Sequence, residues 1–229
     1  MPRLMRVCTG IGLSTIVLVG LSVWAHKPLP SEGTYSDVDH ALRVEEIDVS
    51  QVVYYELTHE DQQLWLTFEK EAEEGLYVSL GVPVIEPLKD FRPSLAVLGP
   101  GLPEIALPFE IPEGFGGWAF ETDAVTSPAV FHEPFTGTDS WVLLEDTVAL
   151  PGSGWHYVVA YSPLGETGKL WVAIGTREAF GLRDVIELPR TIREVRAFHE
   201  VAGQPRWLKV AATISLLLVG LAFWWLFAR

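Results

Sequence analysis

The chain has 229 residues, with thirty Asp and Glu against sixteen Lys and Arg, for a formal net charge of −14. Residues 26–205 hold all thirty acids and eleven of the bases and stand at −19, which excludes a nucleic-acid binder, because phosphate contacts need clustered cations. One cysteine, Cys8, excludes an internal disulfide, and the lack of asparagine removes every N-glycosylation sequon, so the composition suits a prokaryotic envelope protein whose core holds by packing.

Residues 1–25 begin with Arg3 and Arg6, followed by an apolar run from Val7 to Trp24. This predicts either a signal peptide cut after Ala25 or a retained membrane anchor. Cys8 lies at the start of the apolar run rather than after it and so does not suit a lipoprotein acceptor. A basic leader before the first apolar segment favours export of the residues C-terminal to it, although Arg190, Arg193, Arg196, Arg206 and Lys209 crowd the domain side of a second apolar segment. The first segment usually dominates, which places residues 26–205 on the extracytoplasmic side of the cell membrane.

Residues 26–43, with Pro28, Pro30 and Gly33, read as a linker. Residues 44–176 then offer short strand candidates: Val44–Val49, Val52–Leu57, which is dense in Val and Tyr, and Leu64–Phe68 and Leu76–Leu80, which alternate with period two. Seven prolines between Gly81 and Gly117 exclude a long helix there and leave Ser94–Leu98 and Ala106–Phe109 as strand candidates. Trp118–Glu121, Ala129–His132, Ser140–Leu144 and Val148–Leu150 are the next candidates along the chain. Trp155–Tyr161 and Lys169–Gly175, joined by SPLGETG, read as the clearest hairpin. The expectation is a mainly β domain, an antiparallel jelly-roll-like β-sandwich.

Residues 177–205 lose the alternation. Leu188, Ile192, Val195 and His199 fall at helical spacing and predict an amphipathic helix from about Pro189 to Val201. Its basic side is expected either at lipid headgroups or against its own domain. Residues 206–229 contain Val210–Ala228, nineteen residues without a charge, about 28 Å as a helix and close to a bilayer's ~30 Å core. This predicts a C-terminal transmembrane helix, with Arg193, Arg196, Arg206, Trp207 and Lys209 at the membrane interface and the lipid bilayer as a partner.

The stretches SQVVYYEL, DQQLWLTFEKEAEEGLYVSL and GSGWHYVVAYSPLGETGKLWVAIG resemble the repeating pattern of pre-peptidase C-terminal-type domains, across roughly Val44–Gly175 with a divergent middle at 82–139. The resemblance implies a bacterial extracytoplasmic β-sandwich that accompanies exported enzymes as an accessory or binding module. Fold alone does not fix an activity.

No local catalytic motif is present. The pairs His59–Glu60, His132–Glu133 and His199–Glu200 lack a second histidine at zinc-protease spacing, and no nucleophile elbow or phosphate loop occurs. The densest polar-aromatic cluster is His132–Trp141. There Glu133, Thr136, Asp139 and Trp141 are candidates to bind a polar ligand or a hard cation, unless the loop caps its own backbone. A mature N-terminal His26 offers an amine and an imidazole for copper, with His40, His59, His132 or His156 as further ligands. The leading expectation is a non-enzymatic binding or assembly module of an envelope complex, without a cofactor. A metal-delivery protein and an exported hydrolase with a dispersed site are the alternatives.

Overall fold

The computed structural model describes residues 27–29, 33–71, 74–179, 181–203 and 205. Both long apolar segments and their flanks, including Arg206, Trp207 and Lys209, lie outside the described residues, as does His26. No helix among the described residues is long and apolar enough to cross a membrane.

In chain order the elements are β1 (Lys27–Pro28), β2 (Leu42–Arg43), β3 (Gln51–Leu57), β4 (Gln63–Lys70), β5 (Glu74–Pro83), β6 (Ser94–Gly99), β7 (Gly116–Phe120), β8 (Ala129–Glu133), β9 (Thr138–Leu150), β10 (Gly154–Tyr161), β11 (Gly168–Ile174) and α1 (Leu182–Phe198). One sheet has the order β1-β3-β11-β5-β9-β8 and the other β2-β4-β10-β6-β7. Alternation in each strand sends one set of side chains between the sheets. Val53, Tyr55 and Leu57 come from β3, Leu64, Leu66 and Phe68 from β4, and Val158, Ala160, Leu170, Val172 and Ile174 from the last two strands. A Leu or Phe taken wholly out of water at such a position contributes about 1.5–3 kcal/mol.

Both outer faces are covered as well. On the second sheet Trp65 and Tyr161 pack edge-on with Phe109, Tyr157 packs edge-on with Trp65, and Phe115 leans on Tyr157. On the first sheet Val52, Trp171 and Ala173 form an apolar patch with Tyr54 and Val142, and Tyr54 meets Phe198 and His199 at the end of α1.

These outer covers explain where the sequence expectations fail. Trp155–Tyr161 and Lys169–Gly175 do not form a hairpin: β10 pairs with β4 and β6, while β11 pairs with β3 and β5 in the opposite sheet. Each strand is apolar on both faces, so alternation could not identify its partner, and the six residues 162–167 cross the edge of the sandwich. The sheets are also mixed rather than antiparallel. β1 runs parallel to β3 and β2 parallel to β4; residues 29–50 and 44–62 respectively supply the long crossovers that parallel neighbours need. Val44–Val49 is not a strand beyond an isolated bridge from Val49 to Arg177. Ala106–Phe109 is a loop whose apolar residues pack on the second sheet.

Ser140–Leu144 and Val148–Leu150 belong to one strand. Leu80 pairs with Leu144 and Gly81 with Val142, so Leu143 is a bulge. The bulge shifts the alternation by one residue, which explains the break in the sequence pattern. Helix α1 starts at Leu182, before Pro189, and ends at Phe198. Its buried residues include Ile192 and Val195, with His199 at its C-cap.

Candidate functional site

The predicted cluster at 132–141 is the hairpin that joins β8 to β9. Glu133 caps the turn: one carboxylate oxygen accepts from the Phe135 N–H at 3.0 Å, the other from the Thr136 N–H and hydroxyl at 2.6 Å each. Gly137 closes it in the left-handed region with φ 61, and its N–H donates to the Glu133 carbonyl. Thr136 and Thr138 share a hydroxyl–hydroxyl bond of 2.7 Å. Asp139 pairs with His132 at 2.7 Å on the surface. Trp141 lies half-buried against the core. The four candidate ligand residues thus have partners or packing within the domain, and no group of three or more potential metal ligands converges among the described residues.

Helix α1 is fastened to this hairpin. Arg196 is buried, and its guanidinium donates to the carbonyls of Thr136, Gly137, Ala202 and Gly203. Its charge is therefore held inside the protein by backbone dipoles and is not presented to headgroups. Arg193 remains exposed and donates to the Pro189 carbonyl. His199 donates from Nδ1 to the Val195 carbonyl at 2.9 Å, which leaves Nε2 to accept from the Ser140 hydroxyl at 3.0 Å. Burial, the largest influence, pushes the His199 imidazole below its ordinary value, so the ring is held neutral. Ser140 and His199 have the contact distance of a nucleophile and its base, but both are buried beneath α1 at 5 % exposure, so no substrate reaches the hydroxyl. This is a latch between helix and sheet. At the other end of α1, the Asp184 carboxylate caps the Gly181 N–H at 2.7 Å and meets the Lys27 ammonium at 3.0 Å. Chain entry and chain exit are thereby both tied to α1.

A different arrangement occurs where the two sheets end. β7 is the last strand of its sheet. β8 covers only Thr138–Val142 of β9, so Leu143–Leu150 is also an open edge among the described residues. Between these edges runs a groove of about 650 Å³, lined by Leu102, Pro103, Trp118, Phe120, Asp146 and Val148, with its floor continued by Leu150. Trp118 is 48 % exposed, as Trp155 is at 40 %, whereas Trp65 and Trp171 are buried; of the two exposed tryptophans Trp118 lines the groove. Gly116 and Gly117 make the close approach possible. A Cβ on Gly116 would stand 2.0 Å from the Leu102 carbonyl oxygen, and the Gly117 N–H donates to the Pro103 carbonyl at 2.8 Å. Strand candidacy at Trp118–Glu121 was readable in the sequence, but its position at a sheet edge was not.

No protein-family model matches the chain, and no curated protein does. Among solved structures, the periplasmic inhibitor of g-type lysozyme PliG from Aeromonas hydrophila is similar, at 16 % identity and TM-score 0.34, over 67 % of this chain and all of that one. The pre-peptidase C-terminal domain of a Bacillus anthracis collagenase is similar at 12 % identity and TM-score 0.29, over 58 % of this chain and 91 % of that one. With scores this low, the functional reading rests on the chain's own geometry.

Proposed function

We propose that this protein is a non-enzymatic, membrane-tethered binding or assembly module of an envelope complex, with residues 26–205 on the extracytoplasmic side, and that it meets its partner at the groove between β7 and β9. The observation that carries this reading is the placement of the exposed Trp118 on the groove. A large aromatic residue stands half in water over an apolar groove between β7 and the open Leu143–Leu150 edge, the combination that aromatic-anchored contacts and strand addition both use. The apolar segments at 1–25 and 210–228 supply the tether. Because Lys27 lies at one end of α1 and Gly203 at the other, two anchors in one bilayer would hold α1 along the membrane surface. The groove is built without any α1 residue and stays clear of that face.

The test is co-purification from solubilised membranes with the wild-type chain, Trp118→Ala and Ile186→Ala, the last altering an exposed apolar residue on α1. A partner retained by wild type and Ile186→Ala but lost by Trp118→Ala is expected. Retention of the same partner by all three removes the groove from the reading. Release of the intact chain by alkaline carbonate washing removes the tether.

A further inference from the structure

We infer that the groove takes a basic, extended segment of another polypeptide, added as a strand along Leu143–Leu150; this rests on the binding-module reading above. The first observation is the distribution of charge. Between Arg92 and Lys169 the chain has no Lys or Arg at all, while ten Asp and Glu fall in that interval. Every residue lining the groove comes from it. Asp146 lies in the wall, and the exposed Glu104 and Glu121 directly follow the lining residues Pro103 and Phe120. With no cation among the lining residues or within the interval that supplies them, a cationic partner is attracted and an anionic one repelled.

The second observation is the edge itself. An open strand edge presents backbone N–H and C=O groups to any strand of suitable chemistry. Here the edge is guarded: Glu145 and Asp146 are both exposed, and the Asp146 carboxylate caps the Thr147 N–H at 2.7 Å. Acids along an edge discourage pairing with another copy of this acidic chain, which makes self-association the wrong occupant. A strand bearing Lys or Arg on the face turned away from the groove would meet Glu145, which lies on the opposite face of β9 from Asp146. Its alternate apolar side chains would enter the groove beside Val148, Phe120 and Trp118, and a cation reaching the Trp118 face gains a further attraction.

The experiment uses the full chain in detergent micelles and three labelled eight-residue peptides: alternating Lys and Val, alternating Glu and Val, and the Lys-Val peptide with alternate backbone nitrogens methylated. Binding is read by fluorescence anisotropy, and amide exchange reports on Leu143–Leu150. The Lys-Val peptide is expected to bind, to slow exchange along that edge, and to weaken with added salt. The Glu-Val and N-methylated peptides are expected to bind about tenfold more weakly or not at all. The pair Glu145→Gln and Asp146→Asn is expected to reduce Lys-Val binding several-fold while the circular dichroism spectrum stays the same. Equal binding of the Lys and Glu peptides, undiminished binding of the N-methylated peptide, or no binding of any peptide overturns the inference. If Trp118→Ala still costs the protein its membrane partner while no peptide binds, the partner chemistry falls and the binding module stands. If the Lys-Val peptide binds the edge but Trp118→Ala loses no partner, the binding-module reading falls instead.

Discussion

The face under α1 and the groove between β7 and β9 treat polar groups in opposite ways. Under α1, Arg196, His199, Ser140, Thr136 and Glu133 are bound to one another or to backbone carbonyls inside the protein. At the groove, the open Leu143–Leu150 edge and a half-exposed Trp118 are left toward water. Chemically versatile residues gathered in one place therefore need not make a site. Where every donor and acceptor is satisfied internally, the cluster stabilises the fold; where backbone edges and apolar surface stay open, there is something for a partner to satisfy.

The comparison predicts effects of different size and kind. Arg196→Ala strands four carbonyls that the guanidinium now serves, so it should cost about 3 kcal/mol, read as a lower urea midpoint, and should loosen residues 199–203 in amide exchange. An unchanged midpoint would make the latch ornamental. Gly116→Ala drives a Cβ into the Leu102 and Pro103 carbonyls and should cost about 2 kcal/mol, while forcing the 102–103 segment away from β7. A smaller effect is expected on acidification. The buried His199 and His156 imidazoles are both held below their ordinary value, in each case chiefly by burial. The unfolded chain then binds more protons below about pH 6.5, so stability is full above that pH and falls as the pH drops toward the folded values. In urea titrations at several pH values, His199→Phe should show a shallower loss than wild type, because only the His156 contribution remains. The smallest stability change belongs to Trp118→Ala, expected within about 0.5 kcal/mol because the residue is half-exposed on an edge strand. Its effect should appear in binding alone.

Much of the sandwich was legible in period-two alternation and in runs dense in Val, Leu and Tyr: Leu64–Phe68 and Leu76–Leu80 by the first signal, and Val52–Leu57 and Ser94–Leu98 by the second, all lie within observed strands. The face of α1 was legible in the spacing of Ile192, Val195 and His199. Partners were not. Alternation tells which side chains share a face but not which strand lies alongside, and outer covers on both sheets made β10 and β11 apolar on both faces. The polar-aromatic cluster at 132–141 has residue types that suit binding, yet a tight turn ending in Gly137 needs the same types to cap itself. The groove left a fainter trace. GGWAF in β7 has no readable face, and whether Trp118 is exposed depends on β7 being an edge, which distant pairings decide. The gap between Arg92 and Lys169 without a single Lys or Arg was the available signal.

The central claim is that the open groove, and not the latched helix, is where this domain meets its partner. A photo-reactive phenylalanine analogue placed singly at position 118 or 186 in the full chain, irradiated in native membranes, tests it directly. The account predicts a discrete cross-linked species from position 118 and none from position 186. Cross-linking from 186 with silence at 118 would contradict it.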